Sequence, residues 1–380
     1  MSKVLFFETS LDGHRYEYLK NLHDYAVMKG IEAVFVLPKD DRIKDWTSGD
    51  NVKVDFLSET ELHSVSKGNL LLASYRKSRL VSECAKKYRT THVFLIFLML
   101  YMPFLIWMLS SGVSVSGIVY RSFLWADSAK KSRIRRGLEW LRFGIMAKSK
   151  KVEKVLMLND DKSASVFNSR FKTNKFMRLP DPYTPLEGKI VDLKGQLGIA
   201  NSDNLFIQIG CLSDRKGTLE ILDAIQMMSN EEKVHNYFYF AGKVAKEIRS
   251  EFYERVELLS NNGVHVFVKD EFLSFEFLNS LCASSDCIMV PYKNTSQSSG
   301  VIGYAAQYGK PIIGPSAGLL GYLISHYNLG YQIDSVCAER IYDAIYNFER
   351  INIPSDYVDD NKLSDFLMLC LNSAVDKKDA

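Results

Sequence analysis

Two short segments carry residue types suited to holding an anion. Ser298-Ser299-Gly300-Val301 follows the strand-like run 286–291 and opens an Ala-rich helical stretch closed by Gly309. Such a helix start offers unpaired backbone amides, two hydroxyls and the positive end of the helix dipole, and phosphate is its usual guest. The alternative is an ordinary strand–helix–strand crossover, since Ser is a preferred N-cap in any case. The second segment runs from Gly210 to Gly217, between the apolar run 205–209 and a helical run from Thr218. Gly210 lets the chain turn where a side chain would obstruct a ligand. Arg215 and Lys216 place two cations at the mouth of the next helix, where a diphosphate can sit; a charged loop pair can equally be solvated.

These segments need strands to hold them, and the chain supplies strand–Gly–helix units throughout. Residues 4–7 read as a first strand, 9–14 as a loop, and 15–29 as a helix with Tyr18, Leu19, Leu22 and Ala26 on one face. Gly30 closes it before a strand over 31–37, an ordinary βαβ start. Between Thr90 and Tyr120 there is no Asp, Glu, Lys or Arg. The apolar run 93–109 falls short of the ~20 residues of a spanning helix. With Pro103 in its middle, it is expected to give a buried strand (93–98) and a helix (103–109), followed by a strand over 115–120. A membrane span and a re-entrant dip are the competing readings.

The stretch 130–143 is a basic amphipathic helix, with Ile134, Leu138, Leu141 and Ile145 on one face and cations over much of the rest. Helices of this kind, with Trp and Phe, often lie at membrane interfaces. The expectation is a helix docked on its domain that presents charge to lipid. Residues 155–158 are expected to give the last strand of the N-terminal domain, 159–161 a helix cap, and Pro180-Asp181-Pro182 a stiff linker. The tail 338–371 reads as helical, interrupted around Pro354.

With 380 residues, 47% of them hydrophobic, the chain has enough apolar mass for two domains of ordinary size, which argues against global disorder. Six cysteines show no CxxC and no metal-like spacing, pointing to free thiols in a reducing cytoplasm. The run 4–7 is too short for a signal peptide and is followed at once by Glu8. The net charge of +3 conceals an asymmetry: residues 1–180 carry 31 Lys+Arg against 18 Asp+Glu, and the remainder 17 against 27. The basic half suits an anionic membrane surface or a phosphorylated lipid, and fits nucleic acid less well.

Taken together, Gly210, Lys216-Gly217, Pro291, Gly309-Lys310-Pro311 and Gly318-Leu319-Leu320 resemble the C-terminal domain of GT-B-fold glycosyltransferases, most closely the family 4 type. Residues 238–243 look like that family's next strand and Gly turn, and 264–268 like the strand before its nucleotide-base loop. The likeness covers 190–335 well and the N-terminal half in outline. It implies an α/β fold of two Rossmann-like domains facing across a cleft. The expected divisions are an acceptor-side domain over 1–182, a nucleotide-sugar-binding domain over 183–345, and terminal helices over 346–380 crossing back to the first domain. This chain departs from the family's pattern at Cys211, where Arg is usual, and at Ser296 and Tyr304, where paired glutamates stand. It lacks the acidic residue near Leu320-Gly321, and Tyr120-Arg121 occupies the place of a common His.

The resemblance implies a retaining, metal-independent transfer from a UDP or GDP sugar to a glycan or polyprenyl-linked acceptor, in cell-surface polysaccharide or glycolipid synthesis. No cofactor beyond the substrate and no nucleic acid partner is expected. The protein would be cytoplasmic and peripheral on the inner membrane face. Lys216, Arg215, His14 and Arg121 are the candidate catalytic residues, the first two stabilising the leaving diphosphate. Gly13, Gly210, Gly217, Lys243, Phe272, Ser298, Ser299, Gly300, Val301 and Tyr304 are the candidate donor-binding residues. The competing classes are an inactive GT-B homologue serving as a membrane-associated binding partner, favoured by the missing glutamates, and a phosphorylase-like enzyme.

Overall fold

Short apolar runs that end at a glycine or a loop, each followed by a helix, fold as parallel strands with covering helices. The computed structural model describes residues 3–46, 49–126, 133–182, 188–354 and 356–375. The chain divides into two compact units. Unit 1 comprises 1–124, 128–180 and 363–380; unit 2 comprises 125–127 and 181–362. The expected block 346–380 is therefore divided. Helix Asp356–Asp360 belongs to unit 2, and only helix Leu363–Val375 joins unit 1.

Unit 1 contains β1 (Val4–Phe7), β2 (Ala33–Pro38), β3 (Val52–Leu57), β4 (His92–Leu95), β5 (Ser114–Val119), β6 (Val152–Leu158) and β7 (Phe176–Leu179). They form one parallel sheet in the order β3-β2-β1-β4-β5-β6-β7. Val4 lies opposite both Ala33 and His92, so the strand order reverses beside β1. Alternate side chains enter two cores. Leu5, Phe7, Val34 and Val93 face one, while Val4, Phe6, Phe35 and Phe94 face the other. Helix His14–Lys29 packs Tyr18, Leu19, Leu22 and Ala26 into the second core, as its face predicts. Helix Leu363–Val375 closes the same side with Phe366, Cys370 and Leu371, and the Phe366 ring lies 4.7 Å from that of Tyr18.

The uncharged stretch folds into unit 1 as β4, helix Phe104–Met108 and β5. Among the described residues no helix is long and apolar enough to cross a membrane. Helix Arg133–Lys148 docks by a different face from the one its periodicity suggests. Phe143, Met146 and Ala147 are buried and Trp140 packs beside them; of the expected face Ile145 also packs against this core, whereas Ile134, Leu138 and Leu141 are exposed. Residues 130–132 of that stretch lie outside the described residues.

Unit 2 contains β8 (Asn204–Ile209), β9 (Asn236–Ala241), β10 (His265–Lys269), β11 (Cys287–Met289), β12 (Ile312–Pro315) and β13 (Gly330–Ile333). Its parallel order is β10-β9-β8-β11-β12-β13. This is the doubly wound order in which the sequence runs outward from β8 in both directions. Ligands of such sheets bind at the carboxyl ends of the strands where the order switches, here between β8 and β11.

Candidate functional site

The loop leaving β8 turns at Gly210, whose φ of +90° is open to glycine at little cost. A short 3-10 turn, Asp214–Lys216, then leads through Gly217 into helix Thr218–Gln226. The Ser213 amide donates to the Thr218 hydroxyl at 3.0 Å, and the Lys216 amide to the Ser213 carbonyl at 2.9 Å, so the loop is fixed at both ends. Gly217 has φ +68°, and a Cβ there would collide with the Pro291 carbonyl oxygen. Beside it the Lys293 amide donates to the Arg215 carbonyl at 3.0 Å. The loops that follow β8 and β11 are therefore in contact at the switch point.

The Lys216 side chain runs back into this junction and is only 8% exposed. Its ammonium donates to the Ile209 carbonyl at 3.2 Å, lies 5.2 Å from the centre of the Tyr292 ring, and sits 2.8 Å from where a Gly210 Cβ would be. No carboxylate pairs with it among the described residues. The neighbouring lysines differ: Lys194 pairs with Asp286, and Lys293 with Asp214 and Glu220. Buried charges are ordinarily paired, and an ammonium has three donors, so Lys216 is poised to meet an anion from outside the chain.

Two residues outside the sequence motifs complete the junction. Gln208, buried in β8, donates from Nε2 to the Lys216 carbonyl at 3.0 Å. Its signal is an amide set between Ile207 and Ile209 in the apolar part of β8. Tyr292 supplies the aromatic face, and nothing in its spacing marks it.

Arg215 is exposed beside Lys216. Lys243 follows β9 at the same edge of the sheet; its backbone carbonyl accepts from the Leu212 amide at 2.8 Å and its ammonium reaches the Asp270 carbonyl at 3.4 Å. Burial opposes ionisation of Asp270, but the Val244 amide, the Tyr253 hydroxyl and Arg249 outweigh it and hold its pKa below the usual range. Phe272 is 88% exposed in the following loop, free to stack on a ligand.

The serine–glycine segment also emerges after β11, and the Leu320 amide donates to the Thr295 carbonyl at 3.1 Å, tying this loop to the start of helix Gly318–His326. At the expected cradle, helix Val301–Gln307 has only seven residues. The Ser299 hydroxyl accepts from the Val301 amide at 3.4 Å, and the Ser299 carbonyl from Ile302 at 3.0 Å. Ser299 thus occupies the Val301 donor itself. Ser298, Gly300 and Tyr304 are half-buried around it.

The remaining candidates belong to unit 1. Gly13 (φ +61°) precedes helix His14–Lys29, with open space around it. The His14 side chain lies outside what the structure describes. Arg121 follows β5 and is exposed. The polar feature at the β1/β4 switch is instead Glu8, fully buried with Arg15 at 3.7 Å and the Thr9 amide at 2.7 Å. Burial raises the Glu8 pKa despite Arg15 and Lys77. An adjoining cavity of about 540 Å3 is lined by Thr9, Ser10, Arg15, His63 and Lys77, among others. Among the described residues no group of three or more His, Cys, Asp or Glu is placed to hold a metal.

No family model and no curated protein matches the sequence. Solved structures do. WaaG, a glycosyltransferase involved in lipopolysaccharide biosynthesis, is similar over 99% of this chain and 96% of its own, at 15% identity and a TM-score of 0.62. Anabaena HepE in complex with UDP-glucose is similar over 98% and 99%, at 15% identity and a TM-score of 0.67. A UDP-forming α,α-trehalose-phosphate synthase from Burkholderia vietnamiensis is similar over 99% and 100%, at 9% identity and a TM-score of 0.70. At these identities the likeness establishes the fold: two Rossmann-like α/β units of the GT-B glycosyltransferase type.

Proposed function

We propose that this protein is a glycosyltransferase that moves a sugar from a nucleoside-diphosphate sugar to a glycan or lipid-linked acceptor. The observation that carries this reading is the buried Lys216 ammonium, which has no carboxylate partner among the described residues and sits at the switch point of unit 2. A diphosphate supplies the missing counter-charge. As the bond from the sugar to the diphosphate breaks, negative charge grows on the leaving oxygen, and a preorganised cation there lowers the barrier. Arg215 adds a second, solvated cation. Phe272 and Lys243 stand at the same sheet edge for the base and the remaining phosphate oxygens. That HepE is described in complex with UDP-glucose and with UDP agrees with this use of the fold.

Metal independence is part of the proposal, since the cations come from the chain itself, and the family 4 resemblance favours retention of configuration. The acceptor falls to unit 1, where Arg15 and Lys77 line a polar cavity. A role in cell-surface polysaccharide or glycolipid synthesis, cytoplasmic and peripheral on the inner membrane face, follows from the resemblance and the basic half. The second reading, a binding protein without catalysis, is favoured by Ser296 and Tyr304 at the family's glutamate positions. Nucleotide-sugar hydrolysis separates the two. Turnover that is lost in Lys216→Ala supports the transferase. No thermal response to UDP or GDP, or nucleotide binding with no turnover on any nucleotide sugar, supports the membrane-associated binding partner instead.

A further inference from the structure

Helix Arg133–Lys148 has two apolar faces, and unit 1 uses one. With Phe143, Met146 and Ala147 buried, Ile134, Leu138 and Leu141 form a stripe at helical spacing that is 79%, 57% and 59% exposed. The stripe runs into an apolar groove of about 650 Å3 whose walls include Leu141, Trp107, Trp140 and Phe171. Trp107, from helix Phe104–Met108, is 64% exposed at the same groove. Apolar surface of this kind with a polar rim marks an interaction site.

The cations around it sort into two groups. Arg142 and Lys151 are engaged internally: Arg142 donates to the Met99 carbonyl at 2.7 Å, and Lys151 to those of Ile106 and Leu109 at 2.9 and 2.6 Å. Lys148 and Arg170, which line the groove, have no carboxylate partner among the described residues. Arg170 lies over the Trp140 ring at 4.2 Å. An apolar trough with two cations that have no carboxylate partner among the described residues, and an exposed Trp, matches an amphiphile with an anionic head. A second copy of the chain would bring the same positive face against itself.

We infer that this groove binds an anionic glycerophospholipid of a bilayer surface, an acyl chain lying along Trp107, Leu141 and Phe171 and the phosphate meeting Lys148 and Arg170. The inference rests on the peripheral-membrane part of the proposed function and gives it a specific site. It requires no spanning segment.

The test is co-sedimentation of the full chain with vesicles of phosphatidylglycerol and phosphatidylcholine, or of phosphatidylcholine alone. Binding should need the anionic lipid. At about 1 kcal/mol for each cation near such a surface, Lys148→Ala with Arg170→Ala should weaken binding roughly 30-fold. Leu141→Ser and Trp107→Ser should each weaken it at unchanged charge. Lys39→Ala with Lys67→Ala, equal in charge loss but outside the groove, should have a much smaller effect. The UDP-induced thermal shift, read on every variant, reports folding and the donor site separately. Its absence alongside intact vesicle binding counts against the transferase only. Equal binding to neutral vesicles, no vesicle binding, or equal loss in both double variants would overturn the lipid site. Self-association abolished by Leu141→Ser, without vesicle binding, would overturn it in favour of a second copy.

Discussion

The Lys216 ammonium stands 5.2 Å from the centre of the Tyr292 ring, a contact that joins the loop after β8 to the loop after β11. The ring face attracts the cation but cannot neutralise it, and among the described residues the ammonium donates only to the Ile209 carbonyl. A group held this way costs stability in the empty protein and is repaid when an anion arrives.

That balance predicts opposite signs for folding and binding. Lys216→Met replaces a buried, unpaired charge with an apolar chain of similar length, so the unliganded protein should melt at the same temperature or higher. The UDP or GDP response should fall away, and turnover should drop about 100- to 1,000-fold. Thermal melts with and without nucleotide check both parts. A structurally required lysine would lower the melting temperature instead.

Gly217→Ala should damage the junction from the other side. The left-handed backbone and the clash with the Pro291 carbonyl together should cost about 1–3 kcal/mol. In a unit of this size that is a drop of several degrees in Tm. Nucleotide binding should weaken as well, because the two loops must separate.

Glu8 makes a prediction about pH. Burial raises its pKa above the ordinary value of 4.5. Its neutral form therefore suits the fold, and ionising it costs stability as pH rises from about 4.5 through the higher folded value. Glu8→Gln keeps an acceptor for the Thr9 amide and removes this penalty. The difference in stability between Glu8→Gln and the wild type should grow in favour of the variant between pH 4 and neutrality. Urea midpoints at several pH values measure it, and a constant or reversed difference would show that Arg15 and Lys77 dominate.

Phe366→Ala tests the attachment of the terminal helix. The ring is fully buried against Tyr18, and its removal should cost about 3–5 kcal/mol. The loss should appear in the unfolding of unit 1, with the nucleotide-induced shift of unit 2 preserved. Far-UV melting followed with and without UDP distinguishes the two.

Much of the fold is legible because punctuation and polarity agree. Gly30, Gly210 and Gly309 end apolar or helical runs where the chain turns, and the central strands of both sheets read as short apolar runs, whereas the edge strands β3, β7 and β13 are only partly buried and carry polar residues that hide them. The helix Arg133–Lys148 shows where this stops. Its apolar residues fall on two faces, and periodicity cannot say whether Ile134 and Leu138 or Phe143 and Met146 meet the core. The proposed anion site rests on Lys216 and Gly217, which the sequence singles out, but also on Gln208 and Tyr292, whose placement arises from contacts across neighbouring strands and loops. The Ser299 hydroxyl that occupies the Val301 amide is likewise a matter of local geometry, invisible in residue type.

The most direct measurement is calorimetric titration of the full chain with UDP and UMP, and with GDP and GMP, beside Lys216→Met. With Lys216 meeting the second phosphate through a charge-assisted bond worth about 1.5–3 kcal/mol, one diphosphate should bind roughly 10- to 100-fold more tightly than its monophosphate. That preference should vanish in Lys216→Met. Equal affinity for mono- and diphosphates, or a preference that survives the substitution, would contradict the assignment of this junction to a nucleoside-diphosphate sugar.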